Sequence, residues 1–144
     1  MMRPTIQTTM LGIAELLAQR ATCRKLRVGA VFVDYYHKIL STGYNGVPNG
    51  MTHCIDTPCP GVHAPKGADL CEAVHAEQNA LIQCRAIDRF WIAYLTHAPC
   101  MRCTKMLLNT PCQGIIFLDD THLELPAREL WLSAARTWHK HPRI

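Results

Sequence analysis

A chain of 144 residues, 49% hydrophobic and 7% aromatic, suits one domain around one core and excludes fibrous or disordered classes. Its formal charge of +4 is a mild excess that fits an anionic small ligand as well as it fits nucleic acid, with no basic run long enough to decide between them, and no apolar stretch nears the ~20 residues that cross a bilayer. The opening MMRPTIQTTM lacks the apolar stretch and cleavage site of a secretory leader, so a cytoplasmic location is expected (host cytoplasm for a viral chain), and the eight cysteines read as metal ligands or catalytic groups before disulfides.

Ile6, Met10, Ile13 and Leu17 recur at helical spacing through IQTTMLGIAELLAQRAT, which predicts an amphipathic first helix. VGAVFVDYY and HKILSTGY follow as two β-rich segments, with a hairpin turn in the DYYHK between them. From Asn45 to about Leu70 the chain is dense in Gly, Pro, Asn and Asp and forms no regular element. About 26 residues of loop inside a compact domain need something to hold them. Beyond it HAEQNALIQCRA reads as helix, FWIAYLT as strand, CMRCTKMLLN as helix, GIIFLD as strand and PARELWLSAARTW as a last helix. Strands alternating with helices after a hairpin predict an α/β sandwich on a mixed sheet, in a single domain spanning 1–144.

The chemistry-bearing residues fall at two of these helix starts. His75 opens one helix, with Glu77 two residues on; Pro99 precedes Cys100-Met101-Arg102-Cys103 at the next. Cysteines at i and i+3 share a helix face, and a helix N-terminus favours the thiolate. His75, Cys100 and Cys103 therefore supply three ligands of the types zinc prefers, and three is the informative number: structural sites close with four protein ligands, whereas catalytic sites keep one position for water. A non-ligating Glu77 beside such a site is suited to carry a proton as general base and then general acid.

His-x-Glu followed by Pro-Cys-x-x-Cys is the signature of zinc nucleoside and nucleobase deaminases. CRKLRVGAVFV, STGYNGVPNG, His53-Cys54 and HAEQNAL, read with it, resemble the deoxycytidylate deaminase family from about Met10 to Asp119. The resemblance implies a three-layer α/β/α, cytidine-deaminase-like sandwich with a five-stranded mixed sheet. It implies hydrolytic conversion of dCMP to dUMP, the thymidylate precursor, with dCTP as a further substrate. His75, Cys100 and Cys103 would hold zinc, Glu77 would shuttle the proton, Asn45 would hydrogen-bond the deoxyribose, and the backbone around Ala76 and Thr96 would line the base pocket. Regulation by dCTP and dTTP, magnesium accompanying such a triphosphate, and a homohexamer are implied in the same way, with neither a membrane nor a nucleic acid as partner.

Arg85, eight residues after Glu77, falls two helical turns along on the same side and is a candidate for the phosphate. Arg24, Lys25 and Arg27 make a second basic cluster. A second, structural zinc under the 45–70 loop is implied by the resemblance at Cys23 and Cys54, completed by Cys59 and Cys71 with His63 as the competitor. Cys84 and Cys112 fall on apolar positions and read as core thiols. Two other classes stay open on sequence: a deaminase acting on tRNA or single-stranded DNA, which calls for aromatic stacking platforms and a basic groove, and a non-catalytic zinc module.

Overall fold

The computed structural model describes residues 2–65 and 70–143; residues 66–69 of the long loop lie outside the described residues. Helix α1 (Ile6–Ala18) leads into strands β1 (Gly29–Val33) and β2 (Ile39–Tyr44). Helix α2 (Ala76–Gln83), β3 (Ile92–His97), α3 (Met101–Leu108), β4 (Gly114–Asp119), α4 (Leu125–Ser133) and β5 (Thr137–Lys140) follow. One five-stranded sheet runs in the order β2-β1-β3-β4-β5. β1 is antiparallel to β2 and β3, while β3, β4 and β5 run parallel, so the sheet is mixed as expected.

Side chains on a strand point alternately to opposite faces. Val31 and Val33 of β1, Tyr94 of β3, and Ile116 and Leu118 of β4 therefore pack with Met10, Leu11 and Ala14 of α1. Ala30, Phe32, Ala93, Leu95, Ile115 and Phe117 face the other way, onto Ala76 and Ala80 of α2, Leu107 of α3 and Trp131 of α4. The result is three layers, with α1 on one side of the sheet and the remaining helices on the other.

The DYYHK turn forms as expected. Asp34 Oδ1 accepts the N–H groups of Tyr36 and Lys38, each at 2.9 Å, and His37 takes a left-handed φ of 61°. The last helix is a correction. It ends at Ser133, and residues 137–138, read from sequence as its last residues, belong to edge strand β5 beside β4. Ala135 at φ 58° breaks the helix, Trp131 Nε1 donates to Thr137 O at 2.7 Å, and Arg136 donates to the carbonyls of Thr110 and Cys112. Trp138 lies seven residues after Trp131 and so mimics helical spacing.

Two contacts seat helices on the sheet at backbone distance. A Cβ on Gly29 would collide with the Ala14 carbonyl of α1, and one on Gly43 with the Ala76 carbonyl and Ala80 amide of α2. The long loop is tied at its ends by a bridge between Gly46 and Val74, whose N–H groups donate to each other's carbonyls at 3.1 and 2.7 Å. Thr22 anchors its start: Thr22 N donates to Asn45 O, Thr22 O accepts from Ile55 N, and Thr22 Oγ1 accepts from Val47 N. Arg24 donates to Ile55 O at 2.8 Å. No helix among the described residues is long and apolar enough to cross a membrane.

Replacing Gly43 by alanine should lower stability by about 1–3 kcal/mol, the usual cost of overpacking, because backbone on both sides leaves the methyl no room. Thermal unfolding should show it; an unchanged midpoint would mean that α2 can ride away from β2 freely.

Candidate active site

The two predicted helix starts do converge. His75 is the N-cap residue of α2 and Cys100 that of α3, placed there by the turn that follows β3. His75 is held by its own N–H, which donates to Gln78 Oε1 at 2.8 Å. His75 Nδ1 lies 3.3 Å from Cys103 Sγ and 3.6 Å from Cys100 Sγ. All three ligand atoms fall within 4.8 Å of one another, and they are the one such group among the described residues. Zinc–nitrogen and zinc–sulfur bonds of about 2.0 and 2.3 Å at tetrahedral angles give ligand–ligand edges of roughly 3.5–3.8 Å, so the observed spacing fits the ion with one vertex left open.

The electrostatics match that donor set. A hydrogen bond from Cys103 and the neighbouring His75 bring the Cys100 thiol down to about 4, while the same Cys100 contact and burial push Cys103 strongly up. A cation bound between the two sulfurs would displace their protons. His75 is raised, chiefly by its contact with Cys100. Glu77 is buried one turn into α2, and burial raises its carboxyl above the usual carboxylate range while a hydrogen bond from Cys103 works against that rise. A buried carboxyl beside this cluster is suited to accept and return a proton.

The other expected residues fall as follows. Thr96 is buried at the end of β3, its Oγ1 accepting from Gly29 N at 3.1 Å. Ala76 is fully buried, the first residue of α2, beside the cluster. Asn45 is buried with its amide turned to the chain: Oδ1 accepts from Val28 N and Nδ2 donates to Leu26 O, both at 2.7 Å. It thereby fixes the segment that enters β1. The extent of α2 is a correction. Helix α2 stops at Gln83 and Cys84 is extended, so helical periodicity no longer carries Arg85 to the Glu77 side; it is exposed beyond the helix end.

Of the remaining cysteines, Cys23 and Cys54 are buried, Cys59 half-buried and Cys71 exposed. Cys59 N donates to Cys54 Sγ at 3.5 Å and the Cys59 thiol is within hydrogen-bonding reach of Cys54 and Cys71, but the four sulfurs are not all gathered to the ligand spacing that His75, Cys100 and Cys103 reach. His63 is exposed on the following turn. Cys112 is a core thiol, raised to about 12 by burial. Sequence reasoning missed Glu124, whose Oε1 accepts Met101 N at 3.3 Å and so caps the helix that carries both cysteines. The contact comes from the start of α4, 23 residues away, and no local spacing signals it.

Residues 4–119 match the family model described as the cytidine and deoxycytidylate deaminase zinc-binding region. The chain belongs to this family. It is 37% identical over 129 residues to the deoxycytidylate deaminase of Mycobacterium phage D29, covering 84% of this chain and 100% of that one. It is 31% identical to the deoxycytidylate deaminase of Schizosaccharomyces pombe, of whose length it spans 39%. Among solved structures, the dCMP deaminase of cyanophage S-TIM5 in complex with dCMP and dUMP superposes with a TM-score of 0.77 at 26% identity, over 98% of this chain and all of that one. The deaminase fold and family expected from the HAE and PCxxC motifs are therefore the observed ones.

Glu124→Ala should cost about 1 kcal/mol, as the loss of a helix cap does, and should speed release of bound metal to a chelator. Metal release at the native rate would show that α3 holds its cysteines without this contact.

Proposed function

We propose that this chain is a zinc-dependent deoxycytidylate deaminase that hydrolyses dCMP to dUMP and ammonia. The observation that carries the reading is the buried Glu77 set against a three-ligand His-Cys-Cys group whose spacing fits a tetrahedral ion with one vertex free. The full-length likeness to the phage enzyme supports the choice of substrate.

In this reading His75, Cys100 and Cys103 hold the zinc. The bound ion supplies a Lewis acid that makes water nucleophilic near neutral pH. Glu77 takes a proton from the attacking water and delivers it to ring N3, then assists the second proton onto the departing amine; a C4–O bond forms, the C4–N bond breaks and ammonia leaves. Burial keeps the Glu77 carboxyl basic enough for both transfers. The backbone at Ala76 and Thr96 frames the base. Asn45 meets the sugar with what its amide has left after the bonds to Leu26 and Val28, a second N–H and a second lone pair.

Cys23, Cys54, Cys59 and Cys71 hold a second, structural zinc that fixes the long loop, which has little apolar surface with which to fix itself. dCTP serves as a further substrate and, with dTTP, as an effector. A hollow of about 460 Å³ beside β2 has Arg20, Arg27 and His53 on its wall and no carboxylate, which suits a triphosphate with its magnesium. The domain, 1–144, works as a hexamer in the cytoplasm of the cell or host, supplying the precursor of thymidylate.

Glu77→Gln should lower turnover by about 10²–10⁴-fold, the range for a lost general acid–base, with metal content retained. Near-native turnover would sink the proton-transfer role, and His75→Ala should lose both metal and activity. Elemental analysis should find about two zincs per chain, falling to about one in Cys54→Ser with more proteolysis in the loop. A Cys54→Ser protein with native metal content and native proteolysis would leave these cysteines as buried thiols.

A further inference from the structure

The sequence contains four asparagines, and two of them, Asn45 and Asn49, stand directly before a glycine. Asparagine is among the thermolabile residues, and before glycine it is most open to loss of its amide, because no side chain hinders the next backbone nitrogen from reaching the carboxamide. The fold treats the two pairs differently. Asn45 is buried and its amide is held on both sides, by Val28 N and Leu26 O. The N–H that follows it, on Gly46, donates to Val74 O at 3.1 Å, and Thr22 Oγ1 packs where a Gly46 Cβ would stand. Neither reacting group can move there to close a ring.

Asn49 is the opposite case. It and Gly50 are exposed, at the centre of a turn closed by Met51 N, which donates to Pro48 O at 3.1 Å. Gly50 has a left-handed φ of 87°, so the turn is of the type that calls for glycine at its third position. The central peptide of such a turn takes no part in the closing bond, and the Gly50 N–H meets no acceptor among the described residues. A Cβ on Gly50 would stand in open space. The other two asparagines are protected as Asn45 is. Asn79 lies inside α2 with its amide donating to Tyr44 O, and the N–H after Asn109 donates to Leu107 O.

We propose that Asn49 is a site of spontaneous modification in the native protein, converting to aspartate and isoaspartate and placing a carboxylate on the wall of the hollow beside β2. The Gly50 nitrogen, its proton lost to solvent base, attacks Asn49 Cγ. An N–Cγ bond forms, the Cγ–Nδ2 bond breaks, and the amide leaves as ammonia with a proton from water. Water then opens the succinimide, at Cγ to give isoaspartate's alternative, ordinary aspartate, or at the backbone carbonyl carbon to give isoaspartate. Asn49 and Gly50 line the hollow together with Arg20, Arg27 and His53, and no carboxylate stands there. The new negative charge cancels part of that positive field, so the hold on anions weakens as the protein ages. The modification is independent of the dCMP deamination proposed above; its consequence rests on the hollow taking a triphosphate.

The test is incubation of the full, metal-loaded chain under reducing conditions in water enriched with heavy oxygen, beside a denatured sample, with peptides fragmented in the mass spectrometer to place the label. In the native protein Asn49 should take up heavy oxygen and yield both aspartate and isoaspartate, faster as the pH rises, while the Asn45 amide stays intact. In the denatured chain both sites should react, and Asn49→Gln should remove the native signal. An unchanged Asn49 in native protein whose denatured counterpart reacts, or loss of the Asn45 amide at the same rate, would overturn the assignment. Calorimetric titration with inorganic triphosphate reads the consequence. Binding to the aged protein and to Asn49→Asp should be about two- to fivefold weaker than to fresh protein, the effect of one exposed charge. Equal binding by fresh and aged protein, or none by fresh protein, would overturn the effect on the hollow, and the mass spectra would still decide the modification.

Discussion

Two helix N-termini meet at one point here because each helix is fixed to the rest of the fold within its first turn, and the candidate site depends on that meeting. Helix α2 lies so close on β2 that Gly43 faces its backbone without room for a methyl group, which sets the positions of His75 and Glu77. Helix α3 starts directly after β3, and Glu124 accepts the N–H of Met101 at its first turn. Helix starts present unpaired N–H groups and a partial positive charge, so thiolates are favoured where the cysteines stand. The low Cys100 thiol and the raised Cys103 thiol follow from two sulfurs forced into one small space.

The same construction explains why Glu77 is buried without being a ligand. It directly follows Ala76, which is pinned against Gly43, and it points toward Cys103 rather than solvent. Burial would ordinarily be a penalty for a carboxylate; beside an electrophilic centre it becomes a means of holding a proton acceptor at useful basicity. The stability cost is local, and the core formed by Phe32, Leu95, Ile115 and Trp131 offsets it.

Much of this was legible in the sequence, for a physical reason. Ligands spaced i, i+3 on a helix, and a glutamate two residues from a histidine, are local patterns that survive without knowledge of the fold. The hairpin was legible because Asp34 makes its own turn, and the sheet core because Val31, Phe32 and Val33 read as a buried run. Strand β5 was not legible: Thr137–Lys140 is an edge strand, mostly exposed, with no alternation to betray it, and Trp138 continues the helical spacing of Trp131. The early end of α2 was hidden as well, since Cys84, Arg85 and Ala86 include no Gly or Pro to mark a stop. Glu124 acts across the fold, and only three-dimensional packing brings it to the first turn of α3.

The most direct test of the account is turnover of dCMP in water enriched with heavy oxygen, with the product analysed by mass spectrometry. Water attack at C4 should give dUMP with one heavy oxygen atom in its C4 carbonyl and one ammonia released for each dUMP formed. A dUMP product whose C4 oxygen does not come from water, or no product from a fully metal-loaded protein, would contradict hydrolytic deamination.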